Sequence, residues 1–458
     1  MNTKSHAARL FEFAAQSANV AIPGTAIDNA RRCLLDALGC GLFGAAQPWS
    51  AILSAQLLAE KSQGVSTVFG HRATLAPANA ALANGTAIHG FELDDLLPAA
   101  IIHPGTVIVP ALLATAEACD TSMENLLRAI VVGYEVTSRL SLAMGPEPSQ
   151  RGFHKTSVVG PVASAIACGV LMKLNATQIA WAAGLAASMA SGVKAYTAGG
   201  SMVKRMHAGW AASSGVRAAL LARDGFTAPA GAVDGKLGLL EVFGGKSADV
   251  TQLTRALNEA DQAWAIDGVW FKVFPLCGWI QGVAQQLLQM RGARPLAAAD
   301  IKKVTVGTSA FAVHHNGNYA PADTMDAQYS IPYCSALALT GDPADPRNFE
   351  AAAFNDPALR ALAAQVELKV DAECDAVYPR RFGSRVKLQL ANGEIRQSLT
   401  LDPHGTAADP CSDAELEEKF TRLATLAPLR LDTGAIARAI RNTSPGAGAR
   451  QLGTLLRG

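Results

Sequence analysis

Between residues 160 and 225 the chain is dominated by alanine and glycine, with few charges to break the run. Small residues on successive turns let helix backbones approach closely, so this stretch predicts the centre of a helical bundle. The sequence before it agrees. Apolar positions recur at helical spacing in ARLFEFAAQ and in AIDNARRCLLDALGCGLFGA. Pro23-Gly24 separates those two helices, Pro48 ends the second, and Asn29 to Asp36 reads as an amphipathic face with its charges outward. STVFG at 66–70 is a short strand or connector. Further helices are predicted over 78–95, 110–118 and 122–142, and Pro146 and Pro148 mark a loop.

Near Pro295 the pattern changes. KKVTVGTSAFAV (302–313), QVELKV (365–370), SRVKLQL (384–390) and IRQSLTL (395–401) alternate or are β-branched, as strands are. Asn392-Gly393 is a hairpin turn, since such a pair accepts positive φ. Helices around 329–339 and 348–363 lie between the first two strands. From Ser412, an N-cap before DAELEEKF, the chain is helical again. The predicted fold is mainly α, with a smaller α+β unit inserted between two helical parts.

At 458 residues the chain exceeds one ordinary core, so two or three domains are expected. Lysine and arginine total 39 against 38 acidic residues, and this balance predicts no nucleic-acid partner. The longest apolar run, 208–222, is interrupted by Ser213, Ser214 and Arg217, so no membrane span is expected. No secretory leader opens MNTKSHAARLFEF, and the 8 cysteines include no C-x-x-C pair. A reduced, cytoplasmic protein with free thiols is the expectation.

Four polar islands interrupt the apolar background. The first, NGTAIHGFELDDLLPAAIIHPGTVIVP (84–110), holds His89, Glu92, Asp94, Asp95 and His103. A helix over 78–95 would put His89 and Glu92 on one face, and Pro104-Gly105 would present His103 from a loop. Carboxylates facing a loop histidine form a plausible proton-transfer site, with a solvated acidic helix tip as the plain alternative. The second island, Arg151 to Ser157, places His154 near a helix N-terminus, where a neutral imidazole is favoured; an ordinary capping loop is the plain reading. The third, Gly199 to Gly209, puts Lys204 and His207 three apart on a helix entered through Gly-Gly-Ser, an anion site on physical grounds. The fourth, WFKVFPLC (270–277), flanks Lys272 with bulky apolar residues; burial would lower its pKa. Cys277 has no base nearby in sequence, and the His314-His315 pair reads as exposed. A metal hydrolase using His89, Glu92, Asp94 and His103 is a weaker reading, because the ligands lack a metal-binding spacing. Together the islands predict cofactor-independent lyase or isomerase chemistry on a carboxylate.

NGTAIHGFELDD with HPGTVIVPALLATAEA, RGFHKTSVVGPVASAIA, GGSMVKRMHAGWAASSGVRAALLARDGFTAP, FKVFPLC and AQYSIPYC occur in that order over residues 10–400. In this set the chain resembles the MmgE/PrpD family, which includes 2-methylcitrate dehydratases, cis-aconitate decarboxylases and iminodisuccinate epimerases. The resemblance implies a large all-helical domain from both chain ends (1–270 and 403–458) under a smaller α+β lid (271–402), no cofactor, no metal, and a homodimer. It implies a catalytic set of Glu92, Asp94, His103, His154, Lys204 and Lys272, with Ser201, Arg205 and His207 binding substrate. His103 or Lys204 would take the proton α to a carboxylate of a small di- or tricarboxylate. Departures from the family pattern are Leu96 in place of threonine, Lys155 in place of proline, and Cys277-Gly278 and Gln281 where histidine or arginine is common. The decarboxylases carry histidine at the place of Cys277, so the resemblance favours a dehydratase, then an epimerase, over a decarboxylase.

Overall fold

The bundle foreseen from the small residues is built round the helix Val203–Arg223, in a computed structural model that describes residues 4–198, 201–257, 263–443 and 446–458. This helix packs on Lys155–Leu171, Pro77–Ile88 and Ala176–Ala187. Its closest approach is to Pro77–Ile88, where a Cβ on Gly209 would lie 2.2 Å from the Leu82 carbonyl oxygen. No side chain fits there, so glycine sets the spacing of the two backbones.

Gly105–Cys119 and Met123–Met144 complete this layer, the latter capped by Ser122. The former starts five residues before the predicted boundary at Pro110, because Asp95 Oδ1 accepts from the Gly105 N–H at 2.9 Å and caps it. A larger correction concerns 78–95. The helix stops at Ile88, so His89 and Glu92 share no helical face. Residues 89–95 form a loop in which Glu92 takes a left-handed φ of 58°, and the loop leads into an antiparallel bridge between Leu96 and Trp270. Alanine-rich periodicity carries no mark of where this helix ends, and the tertiary bridge sets the stop.

The chain ends meet. Asp413–Ala424 lies on Gly24–Gly44, and Ala449–Arg457 lies on Gly105–Cys119. Ser412 and Glu415 form a full capping box at the start of the first C-terminal helix. Charges on the Asn29–Asp36 face do not all point outward as foreseen. Arg32 reaches Asp413 at the surface, but Asp36 is buried and paired with Lys419 at 2.6 Å.

A two-residue pair, β1 (Ser66–Thr67) with β2 (Thr74–Leu75), sits beside the bundle. The other strands form one sheet in the order β4-β3-β5-β6: β3 Ile301–Thr308, β4 Val366–Val370, β5 Ser384–Leu390 and β6 Ile395–Thr400. β4 runs parallel to β3, and the β3/β5 and β5/β6 pairs are antiparallel. Gly393, at φ 91°, turns the last hairpin. KKVTVGTSAFAV is not strand throughout, since Ser309 caps a short helix, Ala310–His315, that takes its second half. Helix Gly278–Arg291 covers β5 and β6, and it packs on Ile331–Thr340. One apolar cluster of buried residues includes Leu10, Ile130 and Ala211 of the helical part together with Val304 and Val386 of the sheet. All eight cysteines are free, and no helix among the described residues is long and apolar enough to cross a membrane.

Candidate active site

The loop after Ile88 delivers two carboxylates to one buried place. Glu92 pairs with Lys204 from the start of the Val203–Arg223 helix, and its other oxygen lies 3.3 Å from the Lys272 ammonium. All three are buried, Lys272 at 1% exposure. Burial works against the charge on Glu92, but the two lysines override it and hold the carboxyl below its usual range. The same balance corrects the sequence expectation for Lys272. Burial opposes its charge, yet Glu92 and Asp94 raise its pKa. Tyr329 closes the group, its hydroxyl 3.0 Å from Lys204 Nζ and 3.3 Å from Glu92 Oε2. Burial, then Glu92, pushes the phenol well above its ordinary value, so it remains a donor.

Asp94 serves two histidines. Its Oδ2 lies 3.1 Å from His89 Nδ1 and 2.8 Å from His103 Nδ1. The main-chain oxygen of Asp95 also lies 2.8 Å from His103 Nδ1. Both neighbours of that nitrogen are acceptors, so Nδ1 is a donor, and in the neutral ring Nε2 is the nitrogen with the lone pair. Burial opposes ionisation of Asp94, but His89, His103 and Lys272 keep it well below the ordinary range. Burial drives His89 down to about 4 and His154 well below its normal value, so both are neutral at pH 7. His154 stacks on His89 with ring centroids 5.6 Å apart, and its Nδ1 lies 3.2 Å from His207 Nδ1.

These groups back onto a cavity of about 470 Å³. Its wall comes from two distant stretches of chain, residues 101–204 and 279–329. Of the residues foreseen as catalytic, His103, His154 and Lys204 reach the wall. Glu92, Asp94 and Lys272 stand behind them, Glu92 paired with Lys204 and Lys272 and Asp94 with His103. His207 backs His154, its own pKa lowered by burial and by Lys204. Arg205 does not line the cavity; it lies over Trp49 at 4.5 Å and donates to the Ser201 carbonyl at 2.7 Å. Ser201 Oγ is buried and has no hydrogen-bond partner among the described residues. The Gly199-Gly200 entry lies outside the described residues.

Tyr196, Tyr329 and Lys194 also line the cavity and were not singled out from sequence, whereas Lys155 was noted only for standing where proline is common. Tyr329 belongs to AQYSIPYC, one of the ordered motifs, and that was its available signal. Tyr196 and Lys194 sit in a short 3-10 turn, Lys194–Ala198, whose sequence carries no periodic mark. The His314-His315 pair, exposed as foreseen, rims the same cavity.

His89, Asp94 and His103 bring their ligand-type atoms within 4.8 Å of one another, close enough for a metal. The hydrogen-bond reading accounts for the same geometry. Both Nδ1 atoms donate to Asp94, Lys272 adds positive charge beside that carboxylate, and Glu92 is turned to the lysines. A dication would have to displace or repel those charges.

The cavity wall thus carries Lys155, Lys194, Lys204 and the imidazoles of His103 and His154, and His103 Nε2 has no hydrogen-bond partner among the described residues, an arrangement suited to acid–base chemistry on an anion. The model of the MmgE/PrpD N-terminal domain matches residues 8–251, and that of the MmgE/PrpD C-terminal domain matches residues 274–433. The chain belongs to the MmgE/PrpD family. It is 29% identical to the cis-aconitate decarboxylase-like protein oryM of Aspergillus oryzae, over 88% of this chain and 87% of that one. It is also 29% identical to the cis-aconitate decarboxylase of Homo sapiens, covering 86% and 82%. Identity to the 2-methylcitrate dehydratase of Cupriavidus necator is 25%, covering 83% and 81%.

Proposed function

We propose that the chain is a cofactor-independent lyase that removes a proton α to a carboxylate of a small di- or tricarboxylate and expels water, as a 2-methylcitrate dehydratase does. The observation that carries this is the pairing of His103, oriented by Asp94, with Lys204, held by Glu92, on the wall of one cavity. His103 Nε2 takes the proton. Lys204 and the Tyr329 hydroxyl stabilise the enolate-like charge that develops on the carboxylate, the larger share of such a rate enhancement. The imidazolium so formed at His103 returns that proton to the departing hydroxyl, which leaves as water, while His154, neutral beside them, hydrogen-bonds the substrate. The strand-bearing part, 271–402, acts as a lid on a helical domain made of 1–270 and 403–458. A cytoplasmic homodimer is part of the same proposal.

Decarboxylation is the second reading, because two of the relatives above carry that name. Cys277 stands against it: its thiol is buried and pushed up to about 11, so it neither donates as an imidazolium nor acts as a base.

A proton NMR panel in deuterium oxide separates the readings. Purified protein with EDTA is mixed with 2-methylcitrate, citrate, cis-aconitate or iminodisuccinate. An alkene from a citrate supports dehydration, loss of carbon dioxide from cis-aconitate supports decarboxylation, and deuterium wash-in without elimination supports epimerisation. Activity that EDTA abolishes and zinc restores would return the His89–Asp94–His103 group to a metal role. Lys204→Ala and His103→Ala should each lower turnover by about a hundredfold or more. Folded variants with unchanged turnover would overturn the site.

A further inference from the structure

The four charges at the reacting centre balance: Glu92 and Asp94 against Lys204 and Lys272. A polycarboxylate entering the cavity needs further cations for its remaining charge. Among the described residues, two on the wall are without an acidic partner. Lys155 is 9% exposed, at the first turn of Lys155–Leu171, and its ammonium has only the Ala100 carbonyl, at 3.3 Å. Lys194, less buried, enters the same cavity. Both pKa values are lowered, that of Lys155 to about 8, and burial is the sole cause. A nearby carboxylate would have raised them. Asp326 lines the cavity too, but it makes no ion pair with either lysine among the described residues. Burying an ammonium without a counter-charge is costly, and such a group is retained where a ligand supplies the charge.

We propose that Lys155, with Lys194 as its outer neighbour, forms a second anion subsite that holds a carboxylate remote from the reacting carbon and selects tricarboxylates over dicarboxylates. The free N–H groups of the first helical turn, at Lys155 and Thr156, favour the same charge. The inference rests on the polycarboxylate reading above.

Calorimetric titration with tricarballylate and with glutarate tests it, at pH 8 in two buffers of different ionisation enthalpy. Wild type should bind tricarballylate more tightly and take up protons as it does so, since an incoming carboxylate raises the lysine pKa. His103, His154, Lys194, Lys204, Asp326 and the 314–315 pair face the same space, so the uptake is read as a difference between variants. Lys155→Met should lose roughly tenfold to a hundredfold in tricarballylate affinity, change little for glutarate, and lose part of the proton uptake. Lys155→Arg, a permanent cation, should keep the affinity but lose the same part of the uptake. Equal tricarballylate affinity and uptake in a folded Lys155→Met protein would overturn the subsite while leaving the parent reading intact. No binding of either acid by wild type would overturn both.

Discussion

Asp95 carries its proton far into the neutral range. Burial is the main cause; the Tyr134 hydroxyl at 2.5 Å and the Gly105 N–H offset it only in part, and the pKa settles at about 7. The unfolded chain releases this proton near pH 4. The stabilising contribution of the neutral carboxyl is therefore complete below about pH 4 and is lost as the pH climbs to about 7. Three pH units correspond to about 4 kcal/mol at most. Asp95→Asn removes the titration and leaves an amide in the same hydrogen-bonded place. Urea unfolding at pH 4.5 and pH 8 should show the variant gaining on wild type by a few kcal/mol, on the order of that limit, between the two conditions. A stability difference that stays constant would mean that Asp95 titrates normally in the folded protein.

At the scale of elements, the Gly24–Gly44 and Asp413–Ala424 helices are joined by a buried ion pair that also reaches the active-site loop. Lys419 Nζ binds Asp36 at 2.6 Å and the Leu93 carbonyl at 2.8 Å, and Leu93 lies between Glu92 and Asp94. Lys419→Met strands Asp36 and should cost about 3–5 kcal/mol. Adding Asp36→Leu should restore most of that stability. Turnover should stay low in both variants, because the anchor on Leu93 is absent from each. Recovery of turnover together with stability would show that the anchor does not position the loop. Here the sequence was a partial guide. Ser412 marked its helix start because capping is local. The four-strand pattern of the sheet was legible in its alternation, and the small-residue bundle in its composition. The end of Pro77–Ile88, the inward turn of Asp36 and the rise of the Lys272 pKa were not legible. Each depends on a partner more than a hundred residues away: Trp270, Lys419 and Glu92. The site followed the same rule. Charged islands drew notice to His103, His154 and Lys204, while Tyr196 and Lys194 reached the cavity through a turn with no periodic signature.

Over the whole molecule, the cavity is walled by two stretches of chain far apart in sequence. His103, His154 and Lys204 come from the helical bundle, and Trp279, Phe311 and Tyr329 come from the part that carries the sheet. A tricarboxylate that touches both walls binds only when they are together, so it biases that arrangement by its differential affinity. At a ligand concentration of about 100 times Kd the linkage is worth about 2.7 kcal/mol. Amides whose exchange requires the walls to part should then slow by roughly a hundredfold. Hydrogen exchange with and without tricarballylate should show protection in two separated regions, one round residues 101–110 and 154–160, the other round 311–329. Protection confined to the first would mean that the ligand rests on the bundle alone and that residues 271–402 do not act as a lid. Protection in both, lost in the 311–329 region on Tyr329→Phe, would place the link between the two walls at the Tyr329 hydroxyl, between Lys204 and Glu92.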